Sequence, residues 1–179
     1  MDPRLYNVLR DLHVFCCISN LAYQTTRKLS PKTYNEVMIS ILYRLTHLSF
    51  ESDPLQEAIR IGLLAFSSTI FMQRQFMKQP YRHLLDLYNN SLSNLHMAMG
   101  INLPVPISLW LAILLHVVID DELSIEDWQT FSLEKAIFRA GIDSWPQASE
   151  ILRSVAWVAF IHDRRGKQAF EAVFSRLQK

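Results

Sequence analysis

A histidine and an aspartate four residues apart are the side chains in this sequence best placed to do chemistry. His116 and Asp120 lie at the end of the most apolar run of the chain, "SLWLAILLHVVIDDEL". Residues four apart lie on one face of a helix, so the carboxylate is within reach of the imidazole. The pair could act as a general acid or base, or could bind a polar ligand. The alternative is a structural pair where the helix emerges into water.

Aromatic side chains suggest the walls of a ligand pocket. The four tryptophans of the chain are Trp110, Trp128, Trp145 and Trp157. Aromatic walls suit flat or apolar small molecules, although packing in the core explains a tryptophan equally well. We predict that Trp110 and Trp157 join His116 and Asp120 in a ligand-binding site. Trp110 is expected on a different part of the same helix surface, and Trp157, from a later helix, is expected to complete the cavity.

A charged cluster near the carboxyl end offers a weaker candidate. His162, Asp163, Arg164 and Arg165 are consecutive and are followed by a glycine. A cluster of this kind is typical of a solvated turn between two helices. We therefore predict a turn here, with anion binding as the alternative.

Metal, cofactor and redox chemistry have little support in the sequence. Cys16 and Cys17 are the two cysteines, and their apolar surroundings predict small core residues and a reducing compartment. The histidines show no metal-ligand spacing, and neither a glycine-rich phosphate loop nor a nucleophile elbow is present. We expect no metal and no cofactor.

Composition bounds the class of protein. The chain has 179 residues, half of them apolar and a fifth charged, which suits a folded globule. Its formal net charge of +1, without a basic run, argues against direct binding of nucleic acid. Neither a signal peptide nor an apolar stretch of about 20 residues is evident. We expect a soluble intracellular protein, nuclear or cytoplasmic, that does not bind membranes.

Helical periodicity and start signals place these candidates on about eight helices. Ser30 before Pro31 and Asp53 before Pro54 are typical of helix starts. Ser144 is predicted to cap a seventh helix that reaches residue 161, and an eighth is predicted to begin after "HDRRG". The sequence therefore predicts an all-α protein, a single bundle formed by one domain over residues 1–179.

Several segments resemble the fungal-specific transcription factor regulatory domain. The carboxy-terminal "GIDSWPQASEILRSVAWVAF" resembles the end of that domain, and "LYNNSLSNLHMAM" followed by "PISLWLAILLHVVI" resembles the helices before it. The segments "NLAYQTTRKLSPKTYNEVMISILYRL" and "DPLQEAIRIGLLAFSSTIFM" are similar to its earlier helices, in the same order. The shared features are apolar and aromatic spacing, over most of the chain.

The resemblance implies a regulatory fold without promoter recognition. Regulators of this family usually carry a six-cysteine zinc cluster that binds DNA, and two cysteines cannot supply it. We therefore expect a freestanding regulatory-type domain that binds a small metabolite or a partner regulator and that can form a homodimer. The alternative is a cofactor-independent enzyme of fungal secondary metabolism, a cyclase or pericyclic-type catalyst that holds its substrate in an apolar helical pocket.

Overall fold

Helices make up the folded chain, as the sequence predicts. The computed structural model describes residues 1–71, 82–99, 103–118 and 127–177, and every regular element in these ranges is an α-helix. Contacts divide the chain into two compact units, residues 1–102 and 103–179, which we describe separately. The all-α class with about eight helices is confirmed, and the single domain stays a prediction.

Four helices form the first unit. They are α1 (Pro3–Gln24), α2 (Pro31–Thr46), α3 (Pro54–Phe71) and α4 (Arg82–Met99). Helix α3 packs against each of the other three. Its many small and apolar side chains explain this central place, because a helix that is apolar around most of its circumference is buried on most sides.

The predicted helix starts in this unit are confirmed by hydrogen bonds. Ser30 Oγ accepts from the backbone N–H of Thr33 at 3.0 Å. Asp53 Oδ1 accepts from the N–H groups of Leu55 and Gln56, both at 3.1 Å. These side chains satisfy donors that have no partner within the first turn of a helix. Capping signals in the sequence thus located α2 and α3 correctly.

One cysteine departs from the sequence prediction. Cys16 is buried on the inner face of α1, but Cys17 is exposed. Adjacent positions on an α-helix point about 100° apart, so two neighbours rarely share the buried face. The Sγ atom of Cys17 lies 3.6 Å from Nε2 of His13, one turn earlier.

Four helices also form the second unit. They are α5 (Val105–Val118), α6 (Asp127–Ala140), α7 (Trp145–Val155) and α8 (Ala159–Leu177). Helix α5 packs against the other three, and its side chains from Leu109 to Leu115 are all buried. This apolar helix is therefore central within its unit.

The boundary between α7 and α8 corrects the sequence prediction. The break lies at residues 156–158, and the predicted turn at residues 162–166 is wrong, because these residues belong to α8. Ala156 has an extended backbone, with φ −162° and ψ 114°. Its carbonyl accepts a hydrogen bond from Trp110 Nε1 at 2.7 Å, which gives that carbonyl a partner outside the helix.

Close packing explains the glycine that suggested a turn. A Cβ atom on Gly166 would lie 2.8 Å from Cη2 of Trp145 and 2.9 Å from Cζ2 of Trp157. Carbon atoms do not approach this closely without displacement of one of them. Gly166 is thus a helical residue that leaves room for two indole rings, whereas Gly141 ends α6 with a φ of +62°, as a stop residue should.

Candidate ligand-binding site

A cavity in the second unit contains the first of the predicted site residues. It lies between α5, α6 and α8 and has a volume of about 330 Å³. Six polar and three apolar side chains line it. They are His116, Asp127, Thr130, Arg165, Gln168, Arg176, Ala169, Ala172 and Val173.

Helical spacing brings these side chains together. Arg165, Gln168, Ala172 and Arg176 follow one another on α8 at intervals of three or four residues, so they form one face of that helix. On α6 Asp127 and Thr130 are three residues apart, while His116 stands in the last turn of α5. Three helices therefore each contribute one face to the cavity.

His116 is the wall residue with an unmet hydrogen bond. Its Nε2 atom is buried and has no hydrogen-bond partner among the described residues. Burial lowers the pKa of His116 below the usual 6.5, and the backbone of Gln129 offsets part of this effect. The imidazole is therefore uncharged near neutral pH, and a buried polar atom without a partner is a place where a bound ligand group would gain a hydrogen bond.

Two arginines and one aspartate set the charge of the cavity. Arg165 is partly buried, and its Nη1 donates to the carbonyl of Val117 at 3.2 Å, which holds it against the end of α5. Arg176 and Asp127 are exposed at the rim. With His116 uncharged, the formal charge of the lining is positive.

The two tryptophans among the other predicted site residues do not line this cavity. Trp110 and Trp157 are both 0% exposed in the core. Asp120 lies outside the described residues, so its pairing with His116 stays a prediction. The assignment of these three residues to a ligand site likewise stays a prediction, but among the described site residues only His116 borders the cavity described above.

Sequence reasoning missed most of the cavity, although a signal existed. Arg165 and Arg176 are eleven residues apart, which is three turns of a helix and places both on one side. That pattern is visible only if residues 162–166 are read as helix. The misplaced turn thus hid the arginines that share the cavity with His116.

Trp157 belongs instead to a tightly packed group that we call the tryptophan junction, formed by Trp145, Trp157, His162 and Gly166. Trp157 Nε1 donates to Asp163 Oδ1 at 2.8 Å, and its ring centroid lies 5.0 Å from that of His162. The junction holds the end of α7 against α8.

His162 is the buried member of that junction. It is 0% exposed, and its Nδ1 accepts from the backbone N–H of Val158 at 3.2 Å. Burial lowers the pKa of His162 to about 3. The expected solvated turn is therefore wrong, since this histidine is an uncharged core residue that caps the start of α8.

A second, smaller cavity of about 240 Å³ lies in the first unit. Its lining includes Glu57 and Ser91. Arg60 Nε donates to Glu57 Oε2 at 2.9 Å, and this hydrogen bond lowers the pKa of the Glu57 carboxyl. Ser91 Oγ donates to the carbonyl of Tyr88 at 2.8 Å. Both polar groups already have protein partners, which makes this cavity the weaker candidate.

Comparisons with known proteins found no match, so the candidate site is described from its geometry alone. No model of a protein family, no curated protein and no solved structure matches the chain. Within the described ranges, no three His, Cys, Asp or Glu side chains are grouped so that they could hold a metal ion. None of the described helices combines the length and apolar character needed to cross a bilayer.

Proposed function

We propose that this protein is a regulatory-type domain, as its resemblance to fungal transcription factors implies. In this proposal a small metabolite binds between α5, α6 and α8, and the occupied domain modulates transcription through a partner regulator. The chain supplies the sensing function, and a partner supplies DNA recognition, because neither six cysteines nor a basic run is present in the sequence.

The observation that carries the proposal is the state of His116. The residue singled out by the sequence borders a cavity of about 330 Å³, and its buried Nε2 has no partner among the described residues. A ligand that reaches this atom would restore a hydrogen bond worth about 0.5–1.5 kcal/mol. The cavity volume falls at the lower end of the range for small-molecule sites, about 300–1,000 Å³.

The lining favours binding over the alternative enzymatic function. A cyclase or pericyclic-type catalyst of the expected kind needs a mainly apolar pocket that holds the substrate in a reactive conformer. Here the described lining has six polar side chains, and its apolar ones are two alanines and a valine, which are small for a pocket of that kind. Such a lining suits recognition of a metabolite with polar groups.

The experiment compares transcripts and metabolites in cells that carry or lack the gene. Ala172→Trp places a large side chain at an exposed position on the cavity wall, and Ala98→Trp makes the same change at an exposed alanine of α4 as a matched control. We expect deletion to alter a set of transcripts, wild type and Ala98→Trp to restore them, and Ala172→Trp to fail.

A different pattern would favour the enzyme. If deletion causes an intermediate to accumulate and the purified protein converts it with multiple turnovers, the regulatory proposal is wrong. Unchanged transcripts after deletion would also contradict it. Thermal unfolding of Ala172→Trp and Ala98→Trp checks that each variant is folded. A failure of Ala172→Trp to restore the transcripts then reports on the cavity.

A further inference from the structure

Several polar side chains around the cavity make no hydrogen bond or ion pair with the other described residues. Among the described residues, Arg176, Gln168 and Thr130 make no side-chain hydrogen bond or ion pair. Arg165 is anchored through Val117, as described above. The cavity therefore combines one fixed guanidinium with several groups that are free to reorganise around a ligand.

These groups share a preference for anions. A guanidinium presents N–H donors in a planar fork that matches the oxygens of a carboxylate or a phosphate. The amide of Gln168 and the hydroxyl of Thr130 can each donate a further hydrogen bond. Among the described residues of the lining, Asp127 is the single carboxylate, so the positive charges of these residues outnumber the negative ones.

Arg165 and Arg176 are far enough apart to bind opposite ends of one molecule. Eleven residues on a helix correspond to about 16 Å along the axis at about 1.5 Å per residue, although flexible arginine side chains can converge over part of that length. Gln168 and Ala172 lie between them on the same face. The small side chain of Ala172 keeps the space between the two arginines open.

We infer that the cavity binds a small organic anion that carries carboxylate or phosphate groups, with Arg165 and Arg176 as its charge partners. This inference rests on the proposed function and names the class of metabolite that the site recognises. His116 borders the site on α5, where its buried Nε2 atom accepts a hydrogen bond from a hydroxyl or other donor group of the same metabolite. Both anionic groups use the same donors, so the experiment must separate them.

Binding to the full-length protein is measured by calorimetry and NMR with four probes. Succinate and inorganic phosphate are the anionic probes, while butane-1,4-diol and putrescine replace the charged ends of succinate by neutral and cationic ones. We expect only the anions to bind, and we expect the binding to weaken as ionic strength rises. Preference for succinate would identify carboxylate as the recognised group, and preference for phosphate would identify a phosphorylated metabolite.

The matched variants are Arg176→Gln and Arg164→Gln. Both remove one exposed positive charge from α8, but Arg164 does not line the cavity. Loss of a hydrogen-bonded charge partner should weaken anion binding at least about tenfold in Arg176→Gln, and the control should change it less than about twofold. Arg165→Gln should weaken binding as well, with thermal unfolding as the check that the lost contact to Val117 leaves the fold intact.

Three results would overturn the inference. Equal losses in Arg176→Gln and Arg164→Gln would show attraction to a general surface charge. Binding of butane-1,4-diol or putrescine that Ala172→Trp abolishes would show a working cavity of another specificity, which leaves the proposed function standing. Absence of binding by succinate and phosphate would reject the anion class, while the transcript experiment decides the regulatory function separately.

Discussion

The cavity and the tryptophan junction are two regions of the same unit, and each is centred on a histidine whose pKa is lowered by burial. They differ in what the imidazole contacts. His162 is fully buried and accepts a backbone hydrogen bond, whereas the Nε2 atom of His116 is buried beside a cavity and has no partner among the described residues. A buried polar group with a partner stabilises the fold, and one without a partner costs free energy unless a ligand supplies the bond.

The largest effect should come from removal of the central indole of the junction. Trp157→Ala leaves a large void and removes the hydrogen bond to Asp163, so we expect the free energy of unfolding to fall by about 3–5 kcal/mol. Urea denaturation measures this loss. Gln168→Ala, at the exposed rim of the cavity, is the comparison and should change stability by less than about 0.5 kcal/mol.

A small loss of stability in Trp157→Ala would contradict the predicted difference between the tryptophan junction and the cavity. If the variant keeps its stability but loses binding of succinate or phosphate, Trp157 contributes to a ligand site, as the sequence analysis predicts. If it unfolds at low urea concentration, its role is packing.

Acid should destabilise the protein through the junction. The pKa of His162 is about 3 in the folded protein against an ordinary value of 6.5, so the unfolded chain binds the proton more tightly. This contribution to stability is complete above pH 6.5 and is lost as pH falls toward 3, at about 1.4 kcal/mol per pH unit. Urea denaturation at pH 7, 6 and 5 measures the slope.

Other described groups with lowered pKa values also respond to acid, and the pH window separates the carboxyls among them from His162. They are the carboxyls of Asp2, Asp53 and Glu57 and the imidazole of His116. The pKa of the Glu57 carboxyl is lowered below 4.5 by its hydrogen bond with Arg60, so its contribution is lost mainly below the range tested. The pKa of His116 is also lowered and adds to the slope in the same direction. His162→Phe should flatten the slope by about one proton, and an unchanged slope would contradict the buried, uncharged state of His162.

The same substitution at the two histidines should have unequal effects. His162→Phe removes the acceptor of the Val158 N–H and leaves that donor buried, so we expect a loss of about 1–3 kcal/mol in the free energy of unfolding. His116→Phe removes the hydrogen bond to the Gln129 backbone, but it also removes a buried Nε2 atom that has no described partner. The two effects oppose each other, so stability at neutral pH should stay within about 1 kcal/mol of wild type. Thermal and urea unfolding of both variants provide the comparison.

Ligand binding provides a second measurement that distinguishes His116→Phe from His162→Phe. His116→Phe should weaken binding of a ligand that donates a hydrogen bond to Nε2, since phenylalanine fills a similar space without a polar atom, and His162→Phe should leave binding unchanged at temperatures where it is folded. Equal destabilisation by the two substitutions would mean that His116 is a structural residue, which is the alternative stated for it from the sequence.

Local signals predicted the helices well where the cause is local. Ser30 and Asp53 cap their helices through hydrogen bonds to backbone groups two or three residues away, so a short stretch of sequence contains the whole interaction. Ser144 stands at the start of α7 as predicted, but its side chain makes no capping hydrogen bond. The position of a helix start can therefore be predicted correctly even where the expected capping hydrogen bond does not form.

Prediction failed where distant residues decide the local structure. The sequence around Gly166 reads as a turn because glycine and a charged cluster often end helices, yet two indoles from other parts of the unit require a glycine inside α8. The cavity was found only through His116. Arg176 was missed, and Arg165 was named only as part of the charged cluster, because the face they share depends on where α8 begins.

The sequence by itself determined the all-α class, the capped starts of α2 and α3 and the burial of α5, because propensity, capping and apolar periodicity act within a few residues. Only the tertiary structure decided that α7 ends where Ala156 accepts a bond from Trp110, that His162 lies in the core, and that His116 shares a cavity with two arginines. The physical reason is that burial and pairing are properties of surfaces brought together by folding, and residues 46 positions apart in the chain form the Trp110 to Ala156 bond.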